Sequence, residues 1–158
     1  MLKTNYVYVA FAVVFSVFAL APAAGAGVRT SAVTSLIQAV NQTRAAHGLR
    51  PLQVDTSLTH AAGAHSAEMV RGDYFSHGDF HSRMVAFHVH GPAAGENLAW
   101  GNGSFAQPPT IIREWLASPA HRANLLRPGW TRIGIGLAHG TFLGNGGATV
   151  VTADFAGR

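Results

Sequence analysis

The 158-residue sequence contains no cysteine. That removes the thiol nucleophile and the thiolate zinc site, and it leaves no disulfide to brace the chain, so any folded domain must be held by packing. Charge is also scarce, at 11% of residues, with a single lysine and ten arginines facing seven acids. The formal net charge is +4 with neutral histidines. The arginines are scattered, with no basic run and no basic stripe interleaved with aromatics, which argues against a nucleic-acid partner. Such a balance permits only weak attraction to anionic envelope polymers or lipid head groups. The chain has no Gly-x-Ser-x-Gly, no His-Glu-x-x-His and no glycine-rich phosphate loop, so the commonest hydrolase, metalloprotease and nucleotide-binding signatures are missing. It also has no internal repeat and no low-complexity linker.

Apolar residues, in contrast, are plentiful, at 48%. Lys3 precedes an apolar stretch from Tyr6 to Ala21, and Ala24-Gly25-Ala26 fits a small-residue cleavage site. This is the pattern of a secretory signal peptide over residues 1–26, with the protein secreted and no membrane span left after cleavage. The alternative is an uncleaved segment that anchors the chain to the membrane. Residues 27–158 then form one domain, with about 130 residues being enough for a single packed core. Their composition is not that of a disordered chain.

The pattern predicts helices first and paired strands last. Val33, Leu36, Ile37 and Val40 recur at helical spacing, giving a helix over residues 31–46 that Gly48 ends. Asp55 is placed to cap a second helix over residues 56–70, ended by Gly72. Residues 73–95 read as a long loop with one helical turn near Met84, and residues 98–100 as a short strand. A third helix covers residues 110–117. Ser118-Pro119 starts a short fourth helix that carries His121 on its first turn. Residues 132–138 alternate Ile, Gly, Ile, Gly, Leu with period two, and residues 148–155 are rich in Val and Thr. Gly144-Asn145-Gly146-Gly147 is the expected hairpin turn between them. An antiparallel sheet covered by helices is the natural packing of these elements.

Nine histidines are many for this length. At a helix N-terminus the local dipole disfavours added positive charge on His121, and a neutral imidazole is what ligation or hydrogen-bond acceptance requires. The bland alternative is a histidine that packs or bonds the backbone. Glu96, between Gly95 and Asn97, is a candidate ligand, base or partner fixing a histidine tautomer, against a carboxylate satisfied by backbone amides. His77 follows Phe75-Ser76, with Phe75 expected in the core and the imidazole aimed outward; His81 is its rival. His65 lies on the apolar face of the second helix and reads as a core histidine. His88 and His90 flank Val89 but lack a third ligand. His47, His60 and His139 read as surface.

Four short motifs stand in order: Phe75-Ser76-His77, Gly95-Glu96-Asn97, Trp115 through Asn124 (WLASPAHRAN), and Ile133-Gly134-Ile135-Gly136. Upstream come Asn41-Gln42-Thr43-Arg44, Gly48-Leu49-Arg50-Pro51-Leu52 and Ala64-His65-Ser66. In this order the chain resembles the bacterial branch of the CAP superfamily (cysteine-rich secretory, antigen 5 and pathogenesis-related proteins; the SCP domain) over about residues 36–155. The resemblance implies an α+β fold, a three-layer α-β-α sandwich with a small antiparallel sheet between helices. It also implies a cleft lined by a tetrad of two histidines and two glutamates, of which His77, Glu96 and His121 carry over. The fourth position, three residues after Trp115, is Ser118 here; Glu114, one turn earlier on the same helix face, is either its partial replacement or a solvated charge. His77, His121 and Glu96 would be the ligands of a divalent metal, Zn²⁺ first, since two histidines and a carboxylate are a recognised zinc set. The leading expectation is a secreted, non-enzymatic binding module for a metal or for a lipid, sterol or cell-envelope ligand. The alternatives are a metal-assisted or His/Glu acid–base hydrolase, and a structural or adhesive surface protein with a vestigial cleft.

Overall fold

The computed structural model describes residues 24–157. Residues 1–23, most of the expected signal segment, lie outside the described part; the small residues Ala24-Gly25-Ala26 form the start of the first helix. Among the described residues no helix is long and apolar enough to cross a membrane.

Helix α1 spans Ala24–Ala46, beginning seven residues before the expected start. A two-residue strand β1 follows, Gln53–Val54, then α2, Thr56–Gly72. Asp55 caps α2 as anticipated, its side chain accepting from Leu58 N at 3.0 Å. The stop is not Gly72 itself but Asp73, which takes the left-handed conformation at φ 51°. The expected helical turn near Met84 is the seven-residue α3, Phe80–Ala86, capped by Asp79. Strand β2, Ala93–Gly101, is three times longer than the expected strand. A 3₁₀ turn at Gly103–Ala106 leads to α4, Pro108–Ala117, and then α5, Pro119–Leu125, with Pro in the first turn of both helices. The chain ends in β3, Trp130–Phe142, and β4, Asn145–Gly157.

The sheet is mixed, in the order β1-β3-β4-β2. The β3–β4 and β2–β4 pairs are antiparallel as expected, but β1 joins β3 in parallel, and its two residues were too few to leave a pattern in the sequence. The hairpin turns at Leu143 (φ 47°) and Gly144 (φ 76°), one residue earlier than the glycine cluster implies. Asn145 and Gly146 already belong to β4.

Period two sorts the strands between two helical layers. Ile133, Ile135, Val151, Ala153 and Phe155 point to one side and pack with Leu36 and Val40 of α1, Ile111, Ile112 and Trp115 of α4, and Leu125 of α5. The intervening residues Gly134, Gly136, Thr152, Asp154 and Ala156 face α2 and α3. A Cβ at Gly134 would overlap the backbone at Leu58 and Thr59, and one at Gly136 the backbone at Ala62 and Gly63. The Ile-Gly-Ile-Gly motif therefore has a mechanical meaning: isoleucines fill one layer while glycines let the α2 backbone lie directly on the sheet.

The early motif is structural. Arg44 is fully buried and donates to the carbonyls of Arg50 (3.1 Å), Leu125 (2.9 Å) and Arg127 (3.2 Å). Asn41 exchanges two bonds with the Leu52 backbone, at 3.1 and 2.8 Å. Together they fix the 49–52 link and the end of α5 against α1.

Candidate functional site

The outer edge of β2 is closed by side chains of the WLASPAHRAN segment. Trp115 Nε1 donates to Leu98 O (2.9 Å) and Asn124 Nδ2 to Glu96 O (2.9 Å). Trp130 Nε1 donates to Asn124 O (2.8 Å) in turn. Gly95 permits this approach: a Cβ there would stand 2.9 Å from the Trp130 ring and 3.0 Å from Asn124 Oδ1. Asn97 Nδ2 donates to His121 O at 3.0 Å, so the residue after Glu96 holds α5 in place. The Gly-Glu-Asn motif thus divides into clearance, chemistry and clamp.

Glu96 is the centre of the site, with 2% of its side chain exposed against 55% for His77. His77 Nδ1 lies 2.6 Å from Glu96 Oε1. Arg83, from α3, donates to Glu96 Oε2 and reaches His77 O through Nη1 at 3.2 Å. In the neutral tautomer that donates Nδ1–H to the carboxylate, Nε2 of His77 carries the lone pair, and the imidazole is held from behind while open to solvent. His121 is half-buried, and its pKa is held below the ordinary histidine value by burial first and by His77 second. His77 is thus near enough for its charge to act on His121, and burial favours the neutral form of the inner ring.

His65 is in the core, as expected, yet it also belongs to this site. Its Nε2 donates to Ser76 O (2.9 Å), which holds the loop carrying His77, and lies 3.9 Å from Glu96 Oε2. Burial, then the charge of Arg83, lowers its pKa. Asp154 pairs directly with Glu96 across the β2–β4 ladder. It is fully buried, and neither oxygen has a donor among the described residues. Burial, then the charge of Glu96, pushes its pKa well above the carboxylate range. Sequence reasoning missed Arg83 and Asp154. Asp154 had left a signal, an acid in the otherwise uncharged Val150–Phe155 stretch; Arg83 had left none.

The other candidates fall elsewhere. Glu114 is exposed on α4 and receives only Arg113, its neighbour, at 3.2 Å. His81 is exposed on α3, and His77, not His81, bonds Glu96. His88 and His90 are exposed. Ser118 stands at the N-cap of α5 but makes no capping side-chain bond. Phe75, expected in the core, is 42% exposed, its ring edge-on to Phe142 at 6.2 Å. The bond to Glu96, not burial of Phe75, aims His77.

Among the described residues no group of three or more His, Asp or Glu side chains is arranged to hold a metal ion. Both oxygens of Glu96 are engaged, one by His77 and one by Arg83. The ring nitrogens of this site that Glu96 does not engage are His77 Nε2 and those of His121, with Glu96 orienting His77 from behind.

The model of the CAP family, the cysteine-rich secretory proteins, matches residues 37–155. The chain belongs to the CAP family. Among its relatives, YkwD of Bacillus subtilis (strain 168) is 35% identical over 106 residues, 64% of this chain and 40% of that protein. The membrane protein YlbC of the same organism is 31% identical over 115 residues, 70% of this chain and 32% of that protein. This CAP chain thus spans less than half the length of either relative. An extracellular SCP-domain protein from Bacillus anthracis superposes with a TM-score of 0.71 at 26% identity, over 83% of this chain and 42% of that one. A cysteine-rich secretory protein from Staphylococcus aureus shares the fold at a TM-score of 0.67 and 20% identity, over 82% and 39%. The α-β-α sandwich and the CAP membership are thereby shown together.

Proposed function

We propose that this CAP domain is an exported binding module whose cleft takes a divalent cation, Zn²⁺ first, between His77 and His121. The observation that carries the reading is the 2.6 Å bond from His77 Nδ1 to buried Glu96, which turns Nε2 away from the carboxylate, with half-buried His121 near enough to feel the charge of His77. Carboxylate–histidine pairs of this kind raise ligand basicity and fix the tautomer at metal sites. Glu96 acts as the orienting partner and not as a third ligand, because Arg83 holds its other oxygen. The bound cation would supply a Lewis-acidic point in the cleft for a carbonyl, phosphate or envelope-polymer oxygen. Export is supported by the N-terminal apolar pattern and by the B. anthracis neighbour, described as extracellular. Ser76, the hydroxyl next to His77 in the chain, has its Oγ accepting from Gly78 N at 3.1 Å, and the chain carries none of the common hydrolase signatures, so binding is favoured over hydrolysis.

The test is ¹⁵N NMR of the histidine side chains during a Zn²⁺ titration. The reading expects the Nε2 resonance of His77 and one ring nitrogen of His121 to shift together, while His65 stays still. A titration that moves exposed His81, His88 or His90 and leaves His77 and His121 unchanged would refute it.

A further inference from the structure

Six large hydrophobic side chains are exposed among the described residues, and four of them gather at one end of the sheet: Phe75 (42%), Trp100 (36%), Phe105 (68%) and Leu143 (44%). They come from three loops built around buried Phe142, whose ring meets Phe75 edge-on at 6.2 Å and Trp100 at 5.5 Å. The loops are tied to one another. Leu143 N donates to Asp73 Oδ1 at 2.5 Å, and Asn102 Nδ2 to Gly146 O at 3.3 Å. The patch is therefore a fixed surface.

It is held at a cost. Asp73 and Leu143 both sit at positive φ, 51° and 47°, and a leucine in that region is uncommon. Strain of this kind persists where the surroundings impose it, and it clusters at functional positions. Here it turns a leucine outward at a hairpin tip, where glycine or asparagine would serve the turn without strain.

Two further facts select the occupant. Residues 97–107 and 140–149, which supply Trp100, Phe105 and Leu143, contain no Asp, Glu, Lys, Arg or His. Around Trp100, Phe105 and Leu143 the rim is free of charge, and Asp73, the acid of the Phe75 loop, is engaged by Leu143 N; rings set in such a rim match the interfacial layer of a bilayer, where amphipathic rings sit at head-group level. The chain also enters the domain on this side. Ser31 and Ser35 of α1 line one groove with Gly103 and Ala106 of the 3₁₀ turn and with His139 and Thr149 of the hairpin. In the anchored form of the chain only residues 22–30 would separate that groove from the apolar stretch ending at Ala21.

We infer that this end of the domain is a membrane-docking face, with Trp100, Phe105, Phe75 and Leu143 seated in the interfacial layer of a lipid bilayer. The face is separate from the His77–Glu96–His121 cleft and does not depend on metal binding there.

Trp100 reports on the inference directly, because the other two tryptophans, Trp115 and Trp130, are buried. The full chain is mixed with phosphatidylcholine vesicles carrying bromine on their acyl chains, and tryptophan emission is followed. The expected result is a blue shift and partial quenching in wild type. Both should vanish in Trp100→Phe and fall at least several-fold in the double variant Phe105→Ser/Leu143→Ser, which keeps all three tryptophans. Co-sedimentation with vesicles while Trp100 emission stays unchanged would overturn the inference, because attachment would then lie in the N-terminal segment alone. So would an emission change that appears without lipid and grows with protein concentration, because a second copy would then cover the face.

Discussion

Glu96 and Asp154 face each other across the β2–β4 ladder, both buried, and only Glu96 has partners to neutralise it. The two carboxylates cannot both hold charge at low cost so close together. The folded state therefore favours a proton on Asp154, which would donate to Glu96. A folded pKa raised above the unfolded value near 3.8 gives stability that is complete below that value and lost as pH rises through the folded pKa. Asp154→Asn removes the titration and keeps the donor. It should raise the Tm above wild type at pH 8, with the difference shrinking toward zero at pH 4, as differential scanning calorimetry can check.

Histidine titration has the opposite sign. Burial depresses both His65 and His121, so below about pH 6.5 the unfolded chain takes up protons that the folded state refuses. In the Asp154→Asn background, which removes the opposing carboxylate titration, stability should fall as pH drops from 7 toward 5, in urea titrations made with a chelator present. In His121→Gln the slope should be shallower, since one of the two groups no longer titrates.

The Ile133-Gly134-Ile135-Gly136 motif predicts a sharp steric penalty. A methyl group at Gly134 or Gly136 overlaps the α2 backbone, which cannot yield without lifting the helix off the sheet. Gly134→Ala and Gly136→Ala should each cost about 3 kcal/mol by urea denaturation, the upper part of the overpacking range. Gly146→Ala, where a Cβ meets nothing, is the matched control and should cost well under about 1 kcal/mol.

Arg44 makes a separate prediction. Replacing it with Met keeps much of the volume but leaves the carbonyls of Arg50, Leu125 and Arg127 without their donor. The expected loss is about 3 kcal/mol, because orphaned buried acceptors bear their full desolvation penalty. A loss near zero would mean that water replaces the guanidinium.

What was legible in the sequence follows from how local each signal is. The Asp55 cap, the Ser118-Pro119 helix start and the alternation in β3 are written within a few residues, and they appear where the pattern placed them, while α4 starts at Pro108, two residues before its expected start. Strand β1 is two residues long and exists only because β3 lies beside it, so no period could betray it. The length of β2 was hidden because Ala93, Ala94 and Gly95 lack the bulk that marks a strand. In the site, the bond between His77 and Glu96 was anticipated as a tautomer-fixing role among others, and the family resemblance selected those residues. Arg83 could not be anticipated: it reaches Glu96 from a short helix whose orientation depends on the whole fold. His65 was placed correctly in the core, but its bond to Ser76, which steadies the His77 loop, is a tertiary fact.

The central claim is that His77 and His121 together hold a divalent cation, and thermal unfolding with and without Zn²⁺ tests it most directly. At a hundred times its dissociation constant, the ion should add about 2.7 kcal/mol to the stability of the folded state. Wild type should then melt several degrees higher, and His77→Ala and His121→Ala should each abolish the rise. No rise in wild type, or a rise that survives both substitutions, would contradict the account.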